Sequence, residues 1–142
     1  MTFEIGKALN KGVNRRDELL FGAYDSSKYG GGVRYFNCDI NLLRQLVEEK
    51  FADPSETQND SPSIQDMLDT FSDITDDTNV EFGGYAVSPD RDDYRVTIES
   101  VDVFVPKENE NELSLFVETF RDADEFSMNP TGDGFIIHAW WD

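Results

Sequence analysis

Positive charge is what this sequence holds least of. Twelve lysines and arginines stand against 30 aspartates and glutamates, a net charge of −18 at neutral pH. The anionic surfaces of nucleic acid and membranes repel such a chain, so direct binding to either is not expected. Cysteine is nearly absent too. Cys38 stands alone, which excludes an intramolecular disulfide and gives no sign of an oxidising compartment. No apolar run approaches the roughly 18 residues needed to cross a bilayer. Residues 1–7 hold no basic stretch leading into an apolar one, so no secretory leader is expected. A cytoplasmic protein is the expectation, inside a host cell if the gene is carried by a phage.

Aromatic residues, by contrast, are plentiful: 11 Phe, 5 Tyr and 2 Trp among 142 residues. A disordered acidic chain would be poor in them, so the acidity does not come from a missing core. A chain of this length buries one core, and a single domain over residues 1–142 is expected. The charge is uneven along it. Residues 1–47 carry a net +2, residues 48–78 a net −9 and residues 79–142 a net −11.

Helical periodicity dominates up to about residue 72. Thr2 suits an N-cap ahead of Ile5, Ala8, Leu9 and Val13, while residues 14–25 fit a short helix or a strand. Gly30, Gly31 and Gly32 break the chain before a short strand at residues 33–36. Asp39 is placed to cap a helix running to about residue 51, with Ile40, Leu43 and Val47 on one face. Residues 53–61 read as a mobile loop. Ser61 and Pro62 suit the start of a helix bearing Ile64, Met67, Leu68 and Phe71.

From residue 79 the period falls to two. Val80, Phe82, Gly84 and Ala86 pair in a hairpin with Tyr94, Val96 and Ile98 across a turn at residues 88–93. The apolar phase then switches to Val101, Val103 and Val105, which asks for a β-bulge near Ser100. Leu113, Phe116, Val117 and Phe120 mark a helix capped by Asn109 or Asn111, and residues 135–141 a last strand. The order β-β-α-β over residues 79–142 predicts an α+β fold: an antiparallel sheet of about four strands with helices packed mainly on one face.

Motifs for chemistry are weak. Asp73, Thr75, Asp77, Asn79 and Glu81 alternate as in a calcium loop, but the sixth position is Thr78 and the twelfth Gly84, where Gly and Glu are required. The glycine triplet lacks the Lys-Ser/Thr of a phosphate loop. Cys38 and His138 would make a nucleophile and base only if the fold brought them together with an orienting group. No catalytic residue, metal ligand or cofactor is assigned, and an enzyme is not expected.

The acids carry more information. Asp66, Asp69 and Asp73 fall at i, i+3 and i+7 of the helix after Pro62, and Glu118, Asp122 and Glu125 repeat the spacing near the later helix. Asp76 and Asp77 extend the first group, and no lysine or arginine occurs from residue 53 to residue 78. Like charges at this spacing repel by roughly 0.2–0.5 kcal/mol per pair. The plain alternative is a solvated helix face. Trp140 and Trp141 are consecutive in a strand, so they face opposite sides and one is a candidate aromatic anchor.

These features predict an acidic binding protein of the nucleic-acid-mimic type. Its partner would be a cationic protein, a nucleic-acid-processing enzyme, and its role that of an inhibitor such as an anti-restriction, anti-CRISPR or nuclease-immunity protein. Two alternatives share the composition. Asp outnumbers Glu by 18 to 12 and Lys is scarce at five, which suits a salt-adapted protein of unrelated function. A small metal-binding module built on loop carboxylates is the other.

Overall fold

The computed structural model describes residues 15–16, 19–20, 32–87 and 94–142. Strand β1 (Gly32–Cys38) leads into helix α1 (Ile40–Glu48) and helix α2 (Ile64–Thr70). Strands β2 (Asn79–Val87) and β3 (Ser100–Pro106) follow, then helix α3 (Glu110–Phe120) and the hairpin β4 (Glu125–Pro130) and β5 (Gly134–Trp140). One sheet, in the order β1-β2-β3-β5-β4, has every neighbour antiparallel. The fold is α+β, as the sequence pattern predicts. Among the described residues the sheet has five strands rather than about four. The added strand, β4, is a sheet edge whose residues stay exposed or half-buried, so it lacks the apolar alternation that marks β2 and β3.

Even-numbered residues of β2 (Val80, Phe82, Ala86) and odd-numbered residues of β3 and β5 (Val101, Val103, Val105, Ile137, Ala139) form the buried face. Leu43 and Leu46 of α1, Ile64, Met67 and Leu68 of α2, and Phe116 and Phe120 of α3 join these residues, Ala86 apart, in one core. The change of phase is the expected bulge. Gly83 faces Ser100 in the β2–β3 ladder, yet its carbonyl accepts from Glu99 N–H, and beyond it Ala86 faces Val96. Glu99 and Ser100 thus oppose one residue. A second bulge lies between Tyr35 and Cys38 of β1, where Asn37 takes a φ of 58°.

Asp39 caps α1 by accepting from Leu42 N–H at 2.7 Å. The start of α2 differs from expectation. Its N-cap is Ser63, which accepts from Asp66 N–H while the Asp66 carboxylate accepts from Ser63 N–H, a reciprocal capping box. Ser61 instead accepts from Gln58 N–H within the preceding loop. That loop, residues 53–61, is tied to α2 by Ile64 N–H on Glu56 O and Gln65 N–H on Pro54 O. Asn109 precedes α3 without a side-chain cap bond.

Of the N-terminal expectations, Arg15, Arg16, Leu19 and Leu20 are helical, and Arg16 is buried with Nη1 donating to Val87 O at 2.8 Å. The helix expected after Thr2, most of residues 14–25, Gly30, Gly31 and the turn at residues 88–93 lie outside the described residues. Among the described residues, no helix is long and apolar enough to cross a membrane.

Candidate functional site

The carboxylates singled out from helical spacing are all exposed, but they do not form two helical stripes. Helix α2 ends at Thr70, so Asp73 lies in the following turn, off the face that holds Asp66 and Asp69. Asp66 serves the capping box, and Asp69 accepts from Gln65 Nε2. Helix α3 ends at Phe120, so Glu118 is helical, Asp122 sits in a turn and Glu125 opens β4. In both places the i, i+3/i+4 spacing runs past a helix end, and the angular rule that aligns side chains stops there.

Tertiary structure makes a different acidic cluster. The turn after α2 meets the start of α3, where Glu112 accepts from Thr75 N–H at 2.7 Å and Thr78 Oγ1–H at 2.6 Å. Asn109 Nδ2 donates to Thr75 Oγ1 at 2.7 Å. These bonds hold Asp76 and Asp77 against the sheet end at which β2 begins and β3 finishes. There Asp76, Asp77, Glu108 and Asp133 line an open cleft of about 560 Å³ with Asn79, Phe104, Pro106 and Lys107. Among the described residues, Lys107 is its sole basic lining residue. Glu108 and Asp133 gave no sequence signal, because they lie 31 and 56 positions from Asp77 and join it only through sheet register. Among the described residues, no cluster of three or more His, Cys, Asp or Glu is arranged to hold a metal ion.

The sheet's second face, opposite the core, is open at Phe36 and along β3 and β5 and closed at Val87, which is buried. It carries Phe36, Tyr85, Phe104, Ile136 and Trp140, with Phe36 63% and Ile136 43% exposed. The tryptophans divide as their alternation requires. Trp141 is buried, edge-on to Phe120 with centroids 6.0 Å apart, and Trp140 is half-buried on the open face between Ser100 and Glu125. Between the aromatics runs a polar row, Glu81 opposite Asp102 and Asp102 opposite His138. Asp102 Oδ1 lies 2.6 Å from His138 Nδ1.

Cys38 and His138 are not brought together. They lie three strands apart in the sheet order, Cys38 in the core and His138 on the open face. Burial pushes the Cys38 thiol up to about 12, so it stays protonated at neutral pH.

At the edge of the open face, Arg34 lies over the Tyr85 ring and bonds its hydroxyl, while Arg34 Nη2 is 3.0 Å from Glu99 Oε1. Burial pushes the Glu99 carboxyl above its ordinary value, the Arg34 charge opposes that shift and Asp142 adds to it. A raised folded-state value means that the native state holds this proton more tightly than the unfolded chain. The stability so contributed is complete below the usual glutamate range and is lost as pH rises through the raised value. Glu49, held down by hydrogen bonds from Arg15 and Gln45, acts in the opposite sense, and its contribution is lost as pH falls through its lowered value. The melting temperature is therefore expected to rise on acidification from about pH 7 to about pH 5, and Glu99→Gln to flatten part of that rise. An unchanged pH slope in the variant would refute the role given to Glu99.

Comparison with protein-family models, with curated proteins and with solved structures returns no match.

Proposed function

We propose that this chain is an acidic binding protein that occupies the cationic, nucleic-acid-binding surface of another protein, as an inhibitor of the anti-restriction, anti-CRISPR or nuclease-immunity kind would. One observation carries the reading: Asp76, Asp77, Glu108 and Asp133 gather at one cleft, with Lys107 as the sole base there among the described residues. Carboxylates held on a folded scaffold present fixed negative charge where a basic protein would otherwise find phosphates. The net charge of −18 extends that field over the whole molecule and would steer a cationic partner into encounter.

The test is binding to a panel of purified basic nucleases and DNA-binding proteins, with duplex DNA as competitor. Inhibition relieved by DNA is expected, with affinity falling about ten-fold or more from about 50 to 500 mM salt. An affinity that does not change with salt would overturn the reading. A chain that folds only in molar salt would point to salt adaptation instead.

A further inference from the structure

We infer that the partner's contact extends from the acidic cleft, past Asn79 and Phe104 that line both, onto the groove beside Glu81 and Asp102 and the exposed sheet face around it, and that the occupant there is a basic segment of another protein carrying an apolar or aromatic side chain among its arginines or lysines. This rests on the binding reading above and adds a second contact surface to it.

Three features of the face fit that occupant. The first is exposed apolar surface. Phe36 of β1 is 63% exposed and Ile136 of β5 43%, and half-buried Tyr85, Phe104 and Trp140 share their face. The space over Gly83 is filled from its neighbours, since a Cβ added there would fall 2.7 Å from Ser100 Oγ and 3.7 Å from Phe36 Cδ1. The Phe36 ring therefore rests beside Ser100 with its outer side in solvent. A side chain laid on these residues would bury apolar area, and a guanidinium or ammonium would meet aromatic rings.

The second is uncompensated charge in the adjoining row. Glu81 and Asp102 are both exposed and directly opposite on neighbouring strands, an arrangement that destabilises a sheet. Asp102 has His138 on its other side, whereas Glu81 has no ion-pair partner among the described residues. A cation placed over the row would relieve the repulsion. A groove of about 240 Å³ lies along it, lined by Asn79, Glu81, Asp102, Phe104 and Ile136.

The third is the charge of the whole chain. At −18, a second copy would be held off by like charge, and so would nucleic acid or an anionic membrane. An occupant that covers exposed Phe36 and Ile136 and also tolerates this field must be cationic.

The experiment is an NMR titration of the isotopically labelled full chain with two synthetic peptides of equal positive charge, one of arginine and serine, the other with one serine replaced by tryptophan. The tryptophan peptide is expected to bind about ten-fold more tightly, shifting the amides of Glu81, Ser100, Asp102, Ile136 and Trp140. Phe36→Ser and Ile136→Ser, both at exposed sites, should each remove that preference while keeping the parent melting temperature. Equal affinities, or shifts confined to Asp76, Asp77, Glu108 and Asp133, would overturn the assignment of this face and leave cationic binding intact. No binding of either peptide at low salt would bring down the binding reading itself. A dimer in sedimentation that Phe36→Ser dissolves would show that a second copy covers the face, which also overturns the inference.

Discussion

Replacing Phe71 with alanine is expected to destabilise the protein by about 4 kcal/mol. The residue is the C-cap of α2 and is 1% exposed. Its ring lies edge-on to Phe82 of β2 with centroids 5.7 Å apart, tilted on Phe116 at 5.0 Å and stacked on Phe120 of α3 at 5.9 Å. One side chain thus joins sheet, second helix and third helix. Its loss removes the transfer energy of a phenyl ring and leaves a cavity walled by three other rings, which rigid aromatics cannot readily fill. Phe71→Leu keeps most of the volume and is expected to cost about 1.5 kcal/mol. Guanidinium unfolding of the two variants measures both. A loss below about 2 kcal/mol for the alanine variant would mean that the cluster collapses around the gap.

Gly84→Ala is expected to cost about 3 kcal/mol although it adds a single methyl group. A Cβ at this position would lie 1.9 Å from Thr97 O, 2.7 Å from the carbonyl carbon of Thr97 and 3.1 Å from the Tyr35 hydroxyl. The neighbouring backbone cannot simply move away. Thr97 N–H donates to Tyr85 O at 2.9 Å, Thr97 Oγ1 accepts from Tyr85 N–H at 2.9 Å, and Glu99 N–H donates to Gly83 O at 2.8 Å. The Tyr35 hydroxyl donates to Thr97 O at 2.5 Å from a fully buried position, so displacing that carbonyl strands a buried polar group. Gly132→Ala is the control. Nothing lies within 4 Å of its added Cβ, and a change within about 0.5 kcal/mol is expected. Comparable losses at the two glycines would show that the close approach of residues 95–99 to β2 is not what Gly84 serves.

Elements whose apolar residues repeat within a few positions were legible in the sequence. Ile64, Met67, Leu68 and Phe71 lie on one helical face and all are buried; Val80 and Phe82 alternate as strand residues should. The bulge was legible for a similar reason. Only a one-residue slip brings both Val96 and Val101 to the same core, and the hydrogen bonds of Gly83 show that slip. β4 was not legible, because an edge strand needs few buried residues and residues 125–130 have none fully buried. Helix lengths were not legible either, since Asp73 and Asp122 continue an acidic spacing past the point where the helices stop.

The scarcity of positive charge is a property of the chain before it folds. Composition alone determined that the chain would be strongly acidic, and it is the source of the proposal that the partner is basic. Alternation alone determined that Trp140 and Trp141 would part, one to the core and one to the opposite face. Which acids stand together was decided only by tertiary structure. Asp133 reaches Asp76 and Asp77 through the antiparallel register of β2, β3 and β5, and Glu108 through the end of β3 that leads into α3. The grouping of Phe36, Ser100 and Trp140 arises the same way, from residues of neighbouring strands set side by side. Local spacing governs neighbours within one helix or strand, whereas contacts between strands depend on register, which the whole core selects.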